Sequence, residues 1–529
     1  MLNHALLGVA SGGGYQMENS LLFRGAQYLT RTPTVAGNRK TFTLSLWVRR
    51  NRLGAEQMLF SAGASGGRFN LRWWQDGTER LTLDDDLGAI GLTTSQLWRD
   101  PTGFLHLVVA VDTPQETAVE RVKVYCNGQR ITDWSTATYP ARYTEFSVNN
   151  TVPHLIGRNA PTAVFFMEVE LAEPILIDGA ALSPDVFGQI DPVTGSWRPK
   201  AVSCVDFGTN GVYLGKPWDA ADLGGDVSGR GNHWTPVSFV TSDVVSDSPT
   251  NVFATLNPLD RVSATLSDGD LHVVTVGNGN TYPGGYACGG VSVSSGKWYF
   301  EATGTSIDVS GGNGFAVGFR SASAVIGSSA WVLKTPSVLV YITLLSAGKI
   351  NDGGTLVDYG APFTDGDVVG IALDLDAGTL TFTKNGVSQG VAYSGLSGTF
   401  RPIVCDYGLS CAADVNFGQR PFAYAPPDGF KALCTANLPA TTGQTSGTFT
   451  GNAAADGPCV FTGAVPETLS VNGNAVIWGT HADRLATGFK IRTASLTYNA
   501  SGANSWAVTY DKKPTVGPKG RAPANAQSN

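Results

Sequence analysis

Short runs in which apolar and polar residues alternate recur along the chain, separated by Gly, Asn, Asp and Ser. In the stretch 41–50, for example, Phe42, Leu44 and Leu46 fall on one side of an extended chain, and polar residues alternate with them. A period of two is that of a β-strand with one buried face. No stretch of helical periodicity is long enough to indicate a helical bundle. The pattern therefore predicts an all-β protein of antiparallel sandwiches.

Tight-turn dipeptides between these runs predict β-hairpins. Asn127-Gly128 follows one alternating run, and Asn385-Gly386 follows another in the second half of the chain. Asn-Gly adopts the positive φ angles of a two-residue hairpin turn. In the second hairpin region the alternation places Phe382 on the apolar side, and Trp298 belongs to the same predicted core.

The alternating runs group into blocks that predict the domain organisation. The intervals are an N-terminal attachment arm at 1–20, a first sandwich at 21–200, a turn-rich connector at 201–255, a second sandwich at 256–425, a small C-terminal β module at 426–511 and an extended tail at 512–529. The first interval is apolar and Gly-rich but too short to fold alone. We expect it to become ordered only against a partner.

Composition narrows the class of protein. The chain has 529 residues, including 65 Gly, with 15% charged residues and a net charge of −7. An acidic chain without a basic stripe argues against a nucleic-acid partner, and the N-terminal stretch is too short for membrane insertion. The seven Cys have no CxxC spacing, so we expect reduced thiols rather than disulfides or a zinc site.

Two groups of motifs carry resemblances to known families. The stretches LLFRGAQYLTR, FTLSLWV, HLVVAVD, VYCNGQ and ILIDGAALSPD resemble the laminin-G/concanavalin-A-like sandwich family. The later stretches GKWYFE, GFAVGF, GDVVGIALDLDAGTLTFTKNG and NFGQRPF resemble the SPRY (B30.2-like) family. The resemblances imply two tandem sandwiches, the first concanavalin-A/laminin-G-like and the second SPRY-like.

A further resemblance concerns the stretch 222–251, DLGGDVSGRGNHWTPVSFVTSDVVSDSPTN, which is similar to the connector of tailed-bacteriophage virion proteins with these two sandwiches in this order. It implies a non-enzymatic tail-fibre or receptor-binding protein that recognises a host surface glycan or protein. Such a protein would assemble in the host cytoplasm with other virion proteins, as a homo-oligomer, with a trimer favoured. The late stretch SWAVTYDKKP departs from a common pattern of such proteins, which leaves the role of the C-terminal module open.

Two alternatives to adhesion remain open. A head-fibre, decoration or connector protein would use its sandwiches only to pack against other virion proteins. A polysaccharide depolymerase would use the concanavalin-like fold for catalysis, because that fold also hosts glycanases.

The candidate ligand-binding residues are aromatic. In FNLRWWQDG, alternation places Phe69, Leu71 and Trp73 in the core and leaves Trp74 outside with Arg72. An exposed Trp beside polar groups can stack on a sugar ring or on a partner protein, or it can simply be covered by a loop. Tyr282 and Tyr286, in the Gly-flanked stretch NTYPGGYACGG, are candidates for a recognition loop, with ordinary turn packing as the alternative.

Other motifs are interpreted as structural. The stretch Asp222–Pro236 holds Asp, Ser and His over four Gly, which favours a turn-rich joint over a catalytic site. Asp84–Asp86 would suit a solvated strand end better than a calcium site, because neighbouring strand residues point to opposite faces. We therefore expect no catalytic residue, no metal and no cofactor.

Overall fold

The computed structural model describes residues 15–64, 66–74, 79–160, 163–191, 195–276, 285–308, 314–323, 337–344, 347–407 and 410–438, together with seven strands farther along the chain. The first 14 residues and the predicted tail at 512–529 lie outside the described residues.

The first sandwich is built from short antiparallel strands. These are β1 (Ser20–Arg24), β2 (Tyr28–Arg31), β3 (Thr41–Arg50), β4 (Gln57–Ala62), β5 (Phe69–Trp73), β6 (Arg80–Asp85), β7 (Gly91–Leu97), β8 (Leu105–Asp112), β9 (Val122–Cys126), β10 (Gln129–Arg130), β11 (Trp134–Thr138), β12 (His154–Ile156), β13 (Glu168–Asp178), β14 (Gly188–Ile190), β15 (Trp197–Pro199), β16 (Val212–Tyr213), β17 (Thr235–Val237) and β18 (Val244–Val245). Short 3-10 turns occupy Ala118–Glu120, Pro184–Val186 and Thr241–Asp243.

Two sheets of this sandwich enclose its core. Sheet 1 has the order β10-β9-β8-β3-β13-β1-β18, with β16 also paired to β13, and sheet 2 has the order β11-β7-β6-β5-β4-β12-β2-β17. Phe42 of sheet 1 meets Phe69 of sheet 2 with ring centroids 5.6 Å apart, in an edge-to-face arrangement. Leu71 and Trp73 of β5 are buried in the same core, as the alternation predicts.

The interval predicted as a connector contributes to both sheets of the first sandwich. Strand β16 pairs with β13, β17 with β2 and β18 with β1. Asp226 organises the loop between β16 and β17, because its carboxylate accepts backbone N–H groups of Tyr213, Ser228 and Asn232. The Gly-rich segment between β16 and β17 is therefore a hydrogen-bonded loop of the first sandwich, not a linker between domains.

The second sandwich is likewise built from two sheets of short antiparallel strands. Its strands are β19 (Leu256–Val262), β20 (Ala264–Ser267), β21 (His272–Thr275), β22 (Tyr286–Gly289), β23 (Lys297–Ser306), β24 (Gly314–Ser321), β25 (Val338–Leu344), β26 (Ala347–Asp352), β27 (Thr355–Asp358), β28 (Val368–Asp374), β29 (Thr379–Lys384), β30 (Val387–Tyr393), β31 (Phe400–Tyr407), β32 (Ala412–Asn416) and β33 (Lys431–Ala432), with a 3-10 turn at Thr435–Asn437. Sheet 3 has the order β19-β22-β31-β24-β25-β26-β27, and sheet 4 has the order β20-β21-β32-β23-β28-β29-β30, with β33 parallel to β23.

Several predictions made from the sequence are confirmed. Trp298 and Phe382 are buried in the second core. The Asn127-Gly128 turn has φ angles of 47° and 78° between β9 and β10, and the Asn385-Gly386 turn repeats this geometry between β29 and β30. The all-β class and the tandem antiparallel sandwiches are likewise confirmed.

The C-terminal part of the chain has strands of its own. These are β34 (Ser446–Gly451), β35 (Cys459–Phe461), β36 (Thr468–Val471), β37 (Asn474–Ala475), β38 (Ala482–Leu485), β39 (Gly488–Ile491) and β40 (Gly502–Thr509). They form the sheets β34-β40-β36-β37 and β35-β39-β38. Among the described residues, no helix has the length and apolarity that a membrane span requires.

The end of the predicted attachment arm lies against the first sandwich. Tyr15 donates a hydrogen bond of 2.5 Å to the carboxylate of Glu173, and Met17 is 4% exposed. The backbone N–H of Met17 also donates to the hydroxyl oxygen of Thr250 over 3.1 Å. Tyr15 and Met17 thus contact other residues of the same chain, so this end of the predicted arm is placed without a partner.

The two sandwiches meet at a buried ionic cluster on the outer face of sheet 1. Arg49 of β3 lies directly opposite Glu170 of β13 and is 1% exposed. Its Nη2 lies 2.6 Å from Glu170 Oε1 and 2.7 Å from Asp247 Oδ2. Its Nη1 donates to the carbonyl oxygen of Phe253, which begins the second sandwich.

The hairpin loop between β20 and β21 adds a third carboxylate to this cluster. Asp268, Gly269 and Asp270 have φ angles of 55°, 72° and 62°, a left-handed run that is costly for the two Asp. Asp268 forms an ion pair with Arg24 of β1, in which Arg24 Nε and Asp268 Oδ1 are 2.7 Å apart. Asp270 is 1% exposed, and neither carboxylate oxygen has a hydrogen-bond partner among the described residues. Burial raises the pKa of all three carboxylates of the cluster.

Candidate functional site

The strongest candidate site lies on the outer face of sheet 2, where β5 ends. Trp73 turns into the core and is fully buried, whereas Trp74, the next residue, is 39% exposed. Its backbone N–H donates to the carbonyl oxygen of Arg80, which holds the chain beyond β5 beside β6. The guanidinium of Arg72 lies 3.9 Å from the centre of the Trp74 ring. One face of the indole is thus supported by a cation.

Two carboxylates fix the guanidinium in this position. Arg72 Nη1 lies 2.5 Å from Glu56 Oε1, and Nη2 binds Asp84 Oδ2. The two acids therefore outnumber the arginine, and the local charge of the three groups is −1. Because Arg72 is mostly covered, this ion triad positions the indole more firmly than an exposed pair would.

A polar ladder extends the site across neighbouring strands. Ser61, Asn70 and Asp84 are direct cross-strand partners on β4, β5 and β6. The Ser61 hydroxyl donates to the side-chain oxygen of Asn70 over 3.1 Å, and the Asn70 amide donates to Asp84 Oδ1 over 3.0 Å. Ser61 and Asn70 are buried, so the ladder fixes the position of Asp84, whose side chain is 18% exposed beside the indole. A carboxylate beside an aromatic ring can accept a hydrogen bond from a sugar hydroxyl.

The other predicted ligand-binding residues do not join this site. Tyr286 is 6% exposed in strand β22, so its ring is not presented on a loop as expected. Burial raises its pKa, and the nearby Asp260 carboxylate adds to that shift. Tyr282 lies outside the described residues.

A buried Ser–His contact in sheet 1 has the composition of a hydrolytic dyad. The Ser45 hydroxyl lies 2.8 Å from His106 Nε2, and the imidazole stacks on Trp47 with ring centroids 4.3 Å apart. However, Trp197 Nε1, which can only donate, lies 2.9 Å from His106 Nδ1. The proton of a neutral imidazole must then be on Nε2, which donates to Ser45 and cannot accept its proton. Burial lowers the pKa of His106 to about 3, so the ring is a structural element.

The remaining polar motifs also have structural roles. Asp84 binds Arg72, and Asp86 binds Arg68 with Nε and Oδ2 2.7 Å apart, so the adjacent acids serve different partners. Within the described part of the chain, no group of three or more His, Cys, Asp or Glu side chains is arranged to hold a metal ion.

The Asp, Ser and His of the Gly-rich turn are likewise used by the turn itself. Ser228 donates to Asp226 through its hydroxyl over 2.8 Å. The imidazole of His233 accepts the backbone N–H of Asp226 over 3.1 Å. These bonds stabilise the loop between β16 and β17 rather than activate a nucleophile.

Sequence reasoning missed the two carboxylates that hold Arg72. The position of Asp84 could have been found, because pairing β5 with β6 in register places it opposite Asn70. Glu56 lies just before β4, in a stretch without alternation, and no signal in the sequence connects it to Arg72.

Comparisons with known proteins agree with the two sandwiches. A family model described as the Concanavalin A-like lectin/glucanases superfamily matches residues 23–168, and the SPRY domain model matches residues 297–420. The chain therefore contains a concanavalin-A-like domain followed by a SPRY domain.

Individual relatives match only in part. The ATP-dependent RNA helicase Ddx1 of Drosophila melanogaster is 38% identical over 93 residues, which is 17% of this chain and 12% of the relative. Human Ran-binding protein 9 is 41% identical over 71 residues, 13% of this chain and 10% of the relative. The matches thus span about a tenth of these relatives. Among solved structures, the SPRY domain of human HERC1 is similar at 19% identity and a TM-score of 0.27, covering 31% of this chain and 99% of that chain.

Proposed function

We propose that the chain is a non-enzymatic recognition protein that binds an uncharged saccharide on the outer face of sheet 2, with Trp74 as the stacking platform. The observation that carries the proposal is the half-exposed indole, supported from one side by Arg72 and flanked by Asp84 and Glu56. The apolar face of a sugar ring stacks on such an indole, and its hydroxyls bind the neighbouring carboxylates.

The charge of the site selects among saccharides. Arg72 is already neutralised by two carboxylates, so it has no net positive charge to offer an acidic sugar. An added carboxylate or sulfate would lie close to a site of charge −1 and would be repelled. Neutral hexoses and N-acetylhexosamines fit the site better.

A glycan array followed by titration calorimetry tests the proposal. Replacing Trp74 by Ala should lower the affinity for a bound neutral glycan by about tenfold or more, which corresponds to about 1.4 kcal/mol. Tyr143→Ala is a matched control, because Arg142 also covers that exposed aromatic ring, at 4.9 Å from its centre, in another part of the sandwich. Equal loss in both variants, or no binding by the wild type, would overturn the proposal.

The setting that we propose for this activity is a tailed-bacteriophage virion. Support comes from the sequence, where the order of the two sandwiches and the stretch 222–251 resemble virion proteins. In that setting the protein is a tail-fibre or receptor-binding protein, and several copies on one particle would multiply a weak contact with a host glycan. We propose a homo-oligomer, with a trimer favoured.

Labelled antibodies on intact particles distinguish adhesion from packing. An adhesin is accessible at a fibre tip, and the isolated protein binds host cells. A head-fibre, decoration or connector protein is found elsewhere on the particle and leaves host cells unbound. Detection of the chain only in particle-free fractions would contradict the virion setting.

The depolymerase alternative is tested by release of reducing sugar from host polysaccharide. A glycosidase needs one carboxylic acid that delivers a proton to the leaving sugar. Asp84 and Glu56 both bind the guanidinium of Arg72, so these two carboxylates are engaged in holding the arginine. We therefore expect binding without release of reducing ends.

A further inference from the structure

We infer that the outer face of sheet 2 binds an extended, linear glycan of at least about three sugar units, laid across strands β5, β6, β7 and β11. This inference rests on the proposed function and specifies its substrate class. It comes from the surface beyond Trp74, where small polar side chains form two parallel rows.

The first row consists of threonines. In sheet 2, Arg72 of β5 pairs with Thr82 of β6, Thr82 with Thr93 of β7, and Thr93 with Thr136 of β11. The hydroxyls of Thr82 and Thr93 lie 3.2 Å apart. Thr82 is buried, Thr93 is half-buried and Thr136 is exposed. The row therefore offers hydroxyl groups at its β7 and β11 end, while Thr82 supports Thr93 from below.

The second row contains a gap. Asp84 of β6 pairs with Gly91 of β7, and Gly91 pairs with the exposed Thr138 of β11. Gly91 has no side chain, and an added Cβ would meet only Thr138, at 3.8 Å and 3.9 Å. The backbone there does not require glycine, since Gly91 is absent from the residues with positive φ. The missing side chain leaves a shallow groove between Asp84 and Thr138.

The dimensions of this surface exceed one sugar ring. Neighbouring strands lie about 4.8 Å apart, so the three spacings from β5 to β11 span about 14 Å. The two rows are separated by two residues along each strand, or about 7 Å. A single sugar would contact Trp74 alone, whereas a linear chain can also occupy the groove at Gly91 and reach the exposed hydroxyls of Thr136 and Thr138.

A size series tests the inference. Cello-, malto- and chito-oligosaccharides, from the single sugar to the hexasaccharide, are titrated against the full chain by calorimetry. For the series that binds, we expect the affinity to rise by about tenfold or more up to the trisaccharide, equivalent to about 1.4 kcal/mol. Equal affinity for the single sugar and the hexasaccharide overturns the inference but leaves the proposed function intact. Absence of Trp74-dependent binding across all the series overturns both.

Two variants locate the additional contacts. Gly91→Phe fills the groove and should reduce the affinity for the trisaccharide to that for the single sugar. Gly103→Phe is the control, because an added Cβ there meets no atom within 4 Å and the residue lies outside sheet 2. Thr136→Val removes one hydroxyl without filling the groove, which covers the case in which Gly91→Phe fails to fold. Unchanged affinity for the trisaccharide in Thr136→Val and in folded Gly91→Phe contradicts the inference.

Discussion

The two outer faces of the first sandwich differ in what covers them. The outer face of sheet 1 holds the stack of Trp47 and His106 and the cluster around Arg49, all of them buried. The outer face of sheet 2 presents Trp74 and Thr136 at its surface. Both faces use arginine–carboxylate contacts, but on sheet 1 they join two domains, whereas on sheet 2 they support an exposed ring. The comparison indicates that the outer face of sheet 1 holds the two sandwiches together, whereas the outer face of sheet 2 is the one on which we propose recognition.

The largest effect is expected from removing the cation on the covered face. Arg49→Met leaves Glu170, Asp247 and Asp270 buried together without their guanidinium, and should lower the free energy of unfolding by about 3–5 kcal/mol. Chemical denaturation measures this change. Arg142→Met, at an exposed pair with Glu116, serves as the control and should stay within about 0.5 kcal/mol. A similarly small change for Arg49→Met would show that the ionic cluster around Arg49 does not contribute to stability.

A smaller loss of stability is expected when the buried imidazole of His106 loses the hydrogen bond donated by Trp197. Trp197→Phe keeps most of the stacking ring but leaves His106 Nδ1 without the N–H that it accepts over 2.9 Å. The cost of an unsatisfied buried acceptor is about 1–3 kcal/mol, measurable by thermal or chemical unfolding. Stability equal to the wild type would contradict the assigned tautomer.

A pH-dependent change in the free energy of unfolding is expected at the Arg49 cluster, because a difference in pKa between the folded and unfolded states makes stability depend on pH. Burial raises the pKa of Asp270, and Glu170 raises it further against the attraction of Arg49. The folded protein then keeps a proton that the unfolded chain releases, so this contribution to stability falls as pH rises from the ordinary carboxyl range to the raised pKa. Asp270→Asn cannot ionise and should gain stability relative to the wild type as pH increases.

Denaturation curves of both proteins from pH 4 to pH 7 provide the measurement. A difference between them that stays constant over this range would mean that Asp270 is ionised throughout. Asp268→Asn is the comparison variant, because the carboxylate of Asp268 is held by Arg24 and Arg420 and is partly exposed.

The smallest effect on stability is expected on the outer face of sheet 2, where we propose recognition. Trp74→Ala removes a ring that is 39% exposed and should change the free energy of unfolding by about 0.5 kcal/mol or less. The adjacent Trp73→Ala removes a fully buried ring and should cost about 3–5 kcal/mol. Similar costs for the two neighbouring residues, measured by the same denaturation assay, would mean that Trp74 is part of the packing.

The sequence was sufficient where local rules decide the structure. Alternation identified which residues of β3 face the core between the sheets, and at the end of β5 it separated Trp73 from Trp74, because a strand has a period of two. The Asn-Gly turns were equally predictable, because positive φ angles favour those residues. These rules need only the residues of one strand or one turn.

Longer-range features could not be predicted in this way. Strands β16, β17 and β18 are two or three residues long, too short to show a period, so their interval resembled a connector. Tyr286 lies next to glycines that suggested a loop, although strand pairing buries it. Arg49, Asp247 and Asp270 come together only through tertiary packing, which no local pattern records.

The hairpin loop Asp268–Asp270 has a consequence for exchanging modules between proteins. Its carboxylates are matched by Arg24 and Arg49, which belong to the first sandwich. A recombination point between the sandwiches would separate the loop from Arg24 and Arg49 but leave Asp268 paired with Arg420. A transplanted second sandwich therefore needs a recipient with arginines in the places of Arg24 and Arg49. Because the separated surfaces carry charge, each part would stay hydrated, and the donor module would remain usable as an independent unit. The ionic cluster therefore limits which first and second sandwiches can be combined. It limits less whether the second sandwich can be separated from the first.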